Sequence, residues 1–343
     1  MVIDFNIILT NLRKKNTTPV WFGKLINYEY WPIWLFYFPI SFYIIYLACK
    51  ASSTTYFTNV NPNIKHSGLF RYSKFGVLQH IPDEYKPKGV LIKQGEFSEL
   101  KIHSFTFPLI TKPDMGERGK GVALIQDIYA LKKYVDNNHG DFIIQEYCDF
   151  PEEAAVFYIR KPSEKKGRIT SFTTKKFLEV TGDGQSTIYQ LMSSSFRAKL
   201  QIPRQKPEFL NTVPEKGEKI KIEAIGNHNR GTRFINANHL ITDQLTDVFD
   251  QISRCIPDFF YGRYDLKYTN LSDLESGKNF QIVELNGINS EPVHIYDQRT
   301  GLIQAYKDFF KHYHDMYEIS LENKKAGHKR SDFWSFWKSI LNI

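Results

Sequence analysis

Cysteine is scarce in this sequence of 343 residues. Cys49, Cys148 and Cys255 are odd in number, far apart and without a C-x-x-C pair, so neither a disulfide framework nor a zinc or dithiol site is encoded, and a reducing cytosol is the simplest setting. No GxxxxGK[ST] phosphate loop occurs, and no glycine run has the order of the dinucleotide fingerprint. There is no convincing Ser/His or Cys/His arrangement for nucleophilic catalysis, no internal repeat and no long low-complexity stretch. A secretory signal is not expected either, because the first apolar run begins near residue 31, behind a long polar lead.

The chain has ample apolar content for a core, and a net charge of +8 that favours an anionic partner: a nucleotide, a nucleic acid or an acidic membrane surface. Nucleic acid is the weakest of the three, because the basic residues are spread out and the aromatics sit in apolar runs rather than between them. Residues 31–49 carry no charge and are rich in aromatics, almost enough to span a bilayer. Pro39 falls in mid-segment, where it would remove a helix hydrogen bond or kink the helix. Arg13, Lys14, Lys15 and Lys24 precede the segment and would keep the N-terminus cytosolic, so a full span would export everything downstream. A half-inserted or protein-buried segment is therefore expected. Near the other end, Phe333, Phe336, Trp337, Ile340 and Leu341 share one helical face behind the basic residues Lys324, Lys325, His328, Lys329 and Arg330. That pattern suits a membrane-surface anchor or a helix docked on the body of the protein.

Between these ends the pattern is mixed α/β. Short β-rich runs (FPLITKP, DFIIQEY, AAVFYIR, FQIVELN) alternate with helical stretches at 125–135 and 242–256. His312 and His314 are read as part of a solvated helix face.

Three stretches carry chemistry. In residues 107–122, FPLITKPDMGERGKGV, a strand ends on Lys112 and a glycine-rich loop follows, with Gly116, Gly119 and Gly121 among Glu117, Arg118 and Lys120. Glycines let backbone N–H groups approach phosphate, and the cations add compensating charge, although a plain turn would look the same. In residues 141–160 a strand delivers Glu146, beside Tyr147, and Glu153 opens the next strand seven positions later; these are nucleotide contacts or simple surface acids. In YGRYDLKY, alternation puts Arg263, Asp265 and Lys267 on one face and the aromatics with Leu266 on the other. In FQIVELN it puts Glu284 beside Asn286. Two strand-borne carboxylates and an amide oxygen are a hard donor set of the kind Mg²⁺ takes, and the structural alternative is a buried Arg263–Glu284 ion pair.

Taken in order, PLITKP, GERGKG, IIQEY, Glu153, GRYD and VELN resemble the ATP-grasp superfamily, most closely its D-alanine:D-alanine ligase-like carboxylate-amine ligases, over roughly residues 73–310. TGDGQSTIYQL, at 181–191, is similar to a segment of the cyanophycin synthetase-like ligases. The resemblance implies an α+β protein with an ATP-grasp fold: two α/β subdomains at 73–148 and 149–318 clamping ATP, after a small N-terminal region with an aromatic-rich helical segment at 1–72 and before a basic, aromatic tail at 319–343. It implies that Lys112 contacts the phosphates while Gly116, Arg118, Gly119 and Gly121 close over them. Glu146 and Tyr147 would sit by the adenine, and Glu153 would hold the ribose. Lys74 and one of Lys175 or Lys176, with Lys176 preferred, would touch phosphate. Asp265, Glu284 and Asn286 would carry Mg²⁺ or Mn²⁺, and Arg263 would face the γ-phosphate. His228, Arg230 and Arg233 are candidates for the substrate, or else form a polar hairpin.

The implied reaction joins a small carboxylate to an amine through an acyl phosphate, in the cytoplasm or at the inner face of the membrane. The alternatives are a phosphotransferase on the same scaffold and a non-catalytic nucleotide-binding protein at a membrane. The segment GINSEP after Asn286 departs from the ligase pattern, which leaves a dipeptide product without support.

Overall fold

The computed structural model describes residues 19–116, 120–223 and 231–341. Two antiparallel sheets carry the architecture. Strands β1 (Gly89–Ile92), β2 (Leu109–Pro113), β3 (Ala123–Ile125) and β4 (Phe142–Glu146) make the first, in the order β1-β4-β2-β3. Strands β5 (Glu152–Ile159), β6 (Arg168–Lys176), β9 (Arg233–Asn236), β10 (Tyr261–Tyr268) and β11 (Phe280–Asn286) make the second, in the order β11-β10-β5-β6-β9. Between β6 and β9, β7 (Glu179–Thr181) and β8 (Lys219–Lys221) pair with each other alone.

Each sheet buries one face under a helix. Helix α2 (Ile128–Asp136), capped by the Asp127 carboxylate on the Ala130 N–H, brings Leu131 onto Leu109, Ile125, Phe142 and Ile144 of the first sheet. The helical pattern read from 125 starts later than expected, because Ile125 closes β3 instead. Helix α3 (Asp243–Arg254) starts at Thr242, whose hydroxyl accepts from the Leu245 N–H, and sets Leu245, Phe249 and Ile252 against the second sheet. Tyr264, Leu266 and Tyr268 of β10 meet it, as do Phe280, Ile282 and Leu285 of β11.

The side-chain parity of β11 switches between Ile282 and Leu285. Asp265 pairs with Glu284, but the next residue, Leu266, pairs with Ile282, so Val283 is the extra residue of a β-bulge. Without the bulge, Glu284 would share a face with Ile282 and Phe280. With it, both apolar side chains stay in the core while Glu284 and Asn286 turn to the opposite face, beside Asp265.

Helix α1 (Ile33–Lys50) takes up most of the uncharged aromatic segment and ends on Lys50, and Pro39 does not end it. Phe36, Ile40 and Leu47 are buried against α4 (Leu302–Lys325), and this packing on both sides of Pro39 holds the helix in one piece. Its outer face, with Trp34, Phe38, Phe42, Ile45 and Tyr46, is exposed. Helix α5 (Phe333–Leu341) docks through one residue: Phe336 is buried among Phe57, His66 and Phe70, while Trp334, Trp337 and Leu341 are exposed.

The solvated-face reading fails for His312. It is buried in α4 against Phe157 and Tyr261, and burial pushes its imidazole down to about 3, so it is neutral. His314 does lie partly exposed, near Glu318. The TGDGQST segment is a turn. The Asp183 carboxylate accepts from the Ser186 and Gln185 N–H groups and from the Ser186 hydroxyl, which pull it down to about 2, and Thr187 with Gln190 forms a capping box.

Candidate functional site

The uncovered faces of the two sheets look at each other across a cavity of about 1130 Å³. From the first sheet come Lys112 at the end of β2, Gln145 and Glu146 of β4, and Gly116 of the loop after β2. From the second come Glu153, Lys175, Arg263, Asp265, Lys267, Glu284 and Asn286. Residues 147–151 connect β4 to β5 and so join the sheets, and Tyr147 and Cys148 of this connection line the cavity.

The cross-strand register explains why these groups meet. Asp265 faces Glu284 and Arg263 faces Asn286 on one side, while Glu153 faces Lys267 on one neighbour and Lys175 on the other. Two carboxylates placed directly opposite repel each other, so Asp265 and Glu284 need cations. The Lys175 ammonium is 2.9 Å from Asp265 Oδ1. Arg263 Nε and Nη2 reach Asp265 Oδ2 at 3.2 and 3.0 Å, and the Asn286 amide donates to the same oxygen at 3.2 Å. Burial alone would raise the Asp265 carboxyl; Arg263 and Lys175 outweigh it and hold the group ionised, well below the usual carboxylate range. Glu284 is ion-paired to Lys74, at the start of a short helix over Lys74–Leu78. Against burial and the nearby Asp265, Lys74 and Lys112 lower the Glu284 carboxyl as well.

Lys112 crosses from the first sheet to the second. Its ammonium donates to Gln145 Oε1 at 3.1 Å and to the main-chain carbonyl of Val283, the bulged residue, at 2.8 Å. Burial pulls this lysine down to about 8, against the pull of Glu284 in the other direction. Lys267 donates to the Cys148 carbonyl at 2.9 Å and lies 4.8 Å from the Tyr147 ring centroid, tying the inter-sheet connection to β10.

Among the expected residues, Lys74, Lys112, Gly116, Glu146, Tyr147, Glu153, Arg263, Asp265, Glu284 and Asn286 all line this one cavity. Lys176 does not. It is exposed on the other side of β6, and strand alternation puts Lys175 in the cavity instead. Gly121 and Arg233 are exposed and outside the lining, with Arg233 pairing across from Lys176 at the sheet edge. Arg118, Gly119, His228 and Arg230 lie outside the described residues. The Arg263–Glu284 ion pair offered as the structural alternative is not formed; Arg263 pairs with Asp265. Tyr261 was expected on the aromatic side of β10, but it shares parity with Arg263 and lines the cavity.

Sequence reasoning missed Gln145, Tyr72, Cys148, Tyr261 and Glu291, and of the two candidate lysines it preferred Lys176 to Lys175. Tyr72 reaches Asn286 Oδ1 at 3.3 Å from a segment with no motif. Parity with Arg263 along β10 would have found Tyr261.

Among the described residues no three His, Cys, Asp or Glu side chains are grouped so that they could hold a metal ion. The candidate set is two carboxylates and an amide, hard donors that suit Mg²⁺ only if phosphate oxygens and water supply the other positions. The charges fit such an arrival: the cations and carboxylates of the lining balance, so a polyphosphate would bring negative charge that a divalent cation offsets.

No protein-family model matches the chain, and neither does any curated protein. Among solved structures it is similar to the VanG D-Ala:D-Ser ligase of Enterococcus faecalis, at 13% identity and TM-score 0.41, over 71% of this chain and 61% of that one. It is also similar to the D-alanine–D-alanine ligase of Bacillus anthracis, at 11% identity and TM-score 0.43, over 72% and 68%. A third is the bifunctional glutathione synthetase of Pasteurella multocida, at 14% identity and TM-score 0.36, over 73% and 38%. The chain thus spans less than two thirds of the first of these structures.

Proposed function

We propose that this chain is an ATP- and Mg²⁺-dependent ligase that joins a carboxylate to an amine through an acyl phosphate. One observation carries the reading: a single cavity between two antiparallel sheets gathers Lys112 and Glu146 from one sheet with Glu153, Lys175, Arg263, Asp265, Glu284 and Asn286 from the other. Apart from Lys175, these are the positions whose order along the sequence resembles the ATP-grasp ligases.

In this reading Lys112 and Lys74 take the phosphates, Glu146 and Tyr147 border the base, and Glu153 accepts from the ribose. Asp265, Glu284 and Asn286 would hold Mg²⁺, which when bound supplies charge neutralisation at the phosphates. The substrate carboxylate oxygen bonds to the γ-phosphorus as the bond to ADP breaks. The amine nitrogen then attacks the acyl carbon, loses a proton, and inorganic phosphate leaves. Arg263, whose guanidinium is held charged by Asp265 despite burial, would stand by the negative charge that develops on the transferring group and the tetrahedral centre. Positioning and charge suffice for such chemistry, so no side-chain nucleophile is needed.

Mass spectrometry of purified protein with ATP, Mg²⁺ and a metabolite extract tests the reading. A product heavier than its amine by an acid less one water, formed together with ADP and phosphate, is expected. A product heavier by one phosphoryl group would replace the ligase with a phosphotransferase.

The same reading puts the protein in the cytoplasm, where ATP is available, with the outer face of α1 on the inner surface of a membrane. Helix α1 is long and apolar enough to cross a bilayer, and only 17% of its apolar window is buried. Yet Phe36, Ile40 and Leu47 bind it to α4, whose Lys307 and Lys311 suit water, so a surface position keeps that packing where a span would strip it. Replacing Trp34, Phe38 and Phe42 by serine should move the protein from the membrane fraction of cells to the soluble one; an unchanged distribution would remove the membrane from the account.

A further inference from the structure

The cavity does not stop at Arg263. Its lining continues through Ser290, Glu291 and Pro292 into a chamber walled by Phe36, Tyr261, Phe309, Tyr313 and Met316. Sites for one small ligand run to about 300–1,000 Å³, so a cavity of 1130 Å³ has room for a second molecule beside a nucleotide.

The chamber holds one carboxylate of note. Tyr37 donates its phenol hydrogen to Glu291 Oε1, and Tyr296 donates to Oε2. Two neutral donors fix the direction of a carboxylate without cancelling its charge. Among the described residues Glu291 forms no ion pair. Arg263 reaches only its main-chain carbonyl, at 3.3 Å; it ion-pairs with Asp265 through Nε and Nη2 and acts on the Glu291 carboxylate from beyond ion-pair distance. His312, whose ring lies against Tyr261, is neutral and adds no cation. Burial, reinforced by Glu291, raises both the Tyr37 and Tyr296 phenols, so each remains a donor across the physiological range.

An oriented anion with no cation at ion-pair distance among the described residues, surrounded by aromatic faces, is complementary to an ammonium group on an apolar body. The carboxylate supplies the ion pair and the rings supply cation–π and apolar contact. We propose that Glu291 is the specificity residue for the amine substrate, an amine with an apolar or aromatic body, and that Tyr37 and Tyr296 are its positioning residues. The assignment rests on the ligase reading above, since the chamber adjoins the Arg263 end where the acyl group would be transferred. It also gives α1 a part in the site: Tyr37 points inward from the same helix whose outer face is exposed.

The test is a calorimetric titration of the full chain, saturated with ADP and Mg²⁺, with phenethylamine and with 3-phenylpropionate, which have the same ring and opposite charge. The expected result is that phenethylamine binds at least about 10-fold more tightly than 3-phenylpropionate. Glu291→Gln keeps the size and both acceptor contacts only in part, and should weaken phenethylamine by about 10-fold or more while ADP affinity stays the same. Tyr37→Phe removes a single hydroxyl and should give a smaller loss for phenethylamine alone. Equal binding of the two probes, no binding of phenethylamine to the wild type, or indifference to Glu291→Gln would overturn the proposal. ADP titrated alone separates the two levels: a protein that binds ADP but not the amine loses only this assignment, whereas one that binds no ADP loses the ligase reading.

Discussion

Strands β10 and β11 show two chemistries on the two sides of one pair of strands. Toward α3 they present Tyr264, Leu266, Tyr268, Phe280, Ile282 and Leu285, closed and apolar. Toward the cavity they present Arg263, Asp265, Lys267, Glu284 and Asn286, polar side chains held in register. The apolar side holds the strands in place by excluding water. The charged side holds an arrangement in which Asp265 and Glu284 would repel each other without Lys74, Lys112, Lys175 and Arg263. Stability and function should therefore separate by face, and substitutions can test how cleanly.

The largest effect is expected on the apolar side. Phe249→Ala in α3 empties the space against Tyr264 and Phe280 and should cost about 3–5 kcal/mol, read as the shift of the urea midpoint. A loss under about 1 kcal/mol would mean that the core repacks freely.

On the charged side, Asp265→Asn keeps the shape and removes the charge. ATP turnover should fall by about 10²–10³-fold with little change in circular dichroism, and equal turnover would break the functional half of the comparison. The variant should also lose some stability. Because the native carboxyl is lowered, its contribution is present above the unfolded value near 3.8 and is lost as pH falls through the native range, so the two proteins should converge in stability in acid.

A smaller effect follows from Lys112. Its ammonium is pulled down to about 8, so above that pH the free protein loses the proton that phosphate binding requires. ADP affinity should fall above pH 8 with a slope approaching about 10-fold per pH unit, and the slope should vanish in Lys112→Arg, which stays protonated. The smallest expected change is Thr242→Ala, which removes the cap of α3 and should cost about 1 kcal/mol of stability without touching turnover.

Much of this division was legible in the sequence, and the exceptions have physical causes. Period-two alternation gave Arg263, Asp265 and Lys267 one face and set Glu284 beside Asn286, and the structure keeps both sets. The bulge at Val283 was not legible, because FQIVELN reads as an unbroken strand; only the pairing with β10 shows the extra residue. The choice of Lys176 over Lys175 failed for a related reason. Two adjacent lysines at a strand end point to opposite faces, and the face is fixed by the partner, here Glu153 opposite Lys175. Glu291 was hidden because its meaning depends on Tyr37, 254 positions away in an apolar helix that gives no polar motif. His312 misled for the opposite reason: a polar neighbourhood in sequence is a buried aromatic one in space.

The central claim is that the charged face of β10 and β11 holds nucleotide together with a divalent cation, and ADP titration of the full chain with and without Mg²⁺ tests it most directly. The account predicts saturable binding that tightens with Mg²⁺ in the wild type and loses that dependence in the double variant Asp265→Asn, Glu284→Gln. Absence of ADP binding, or binding by the double variant with the metal dependence intact, would contradict it.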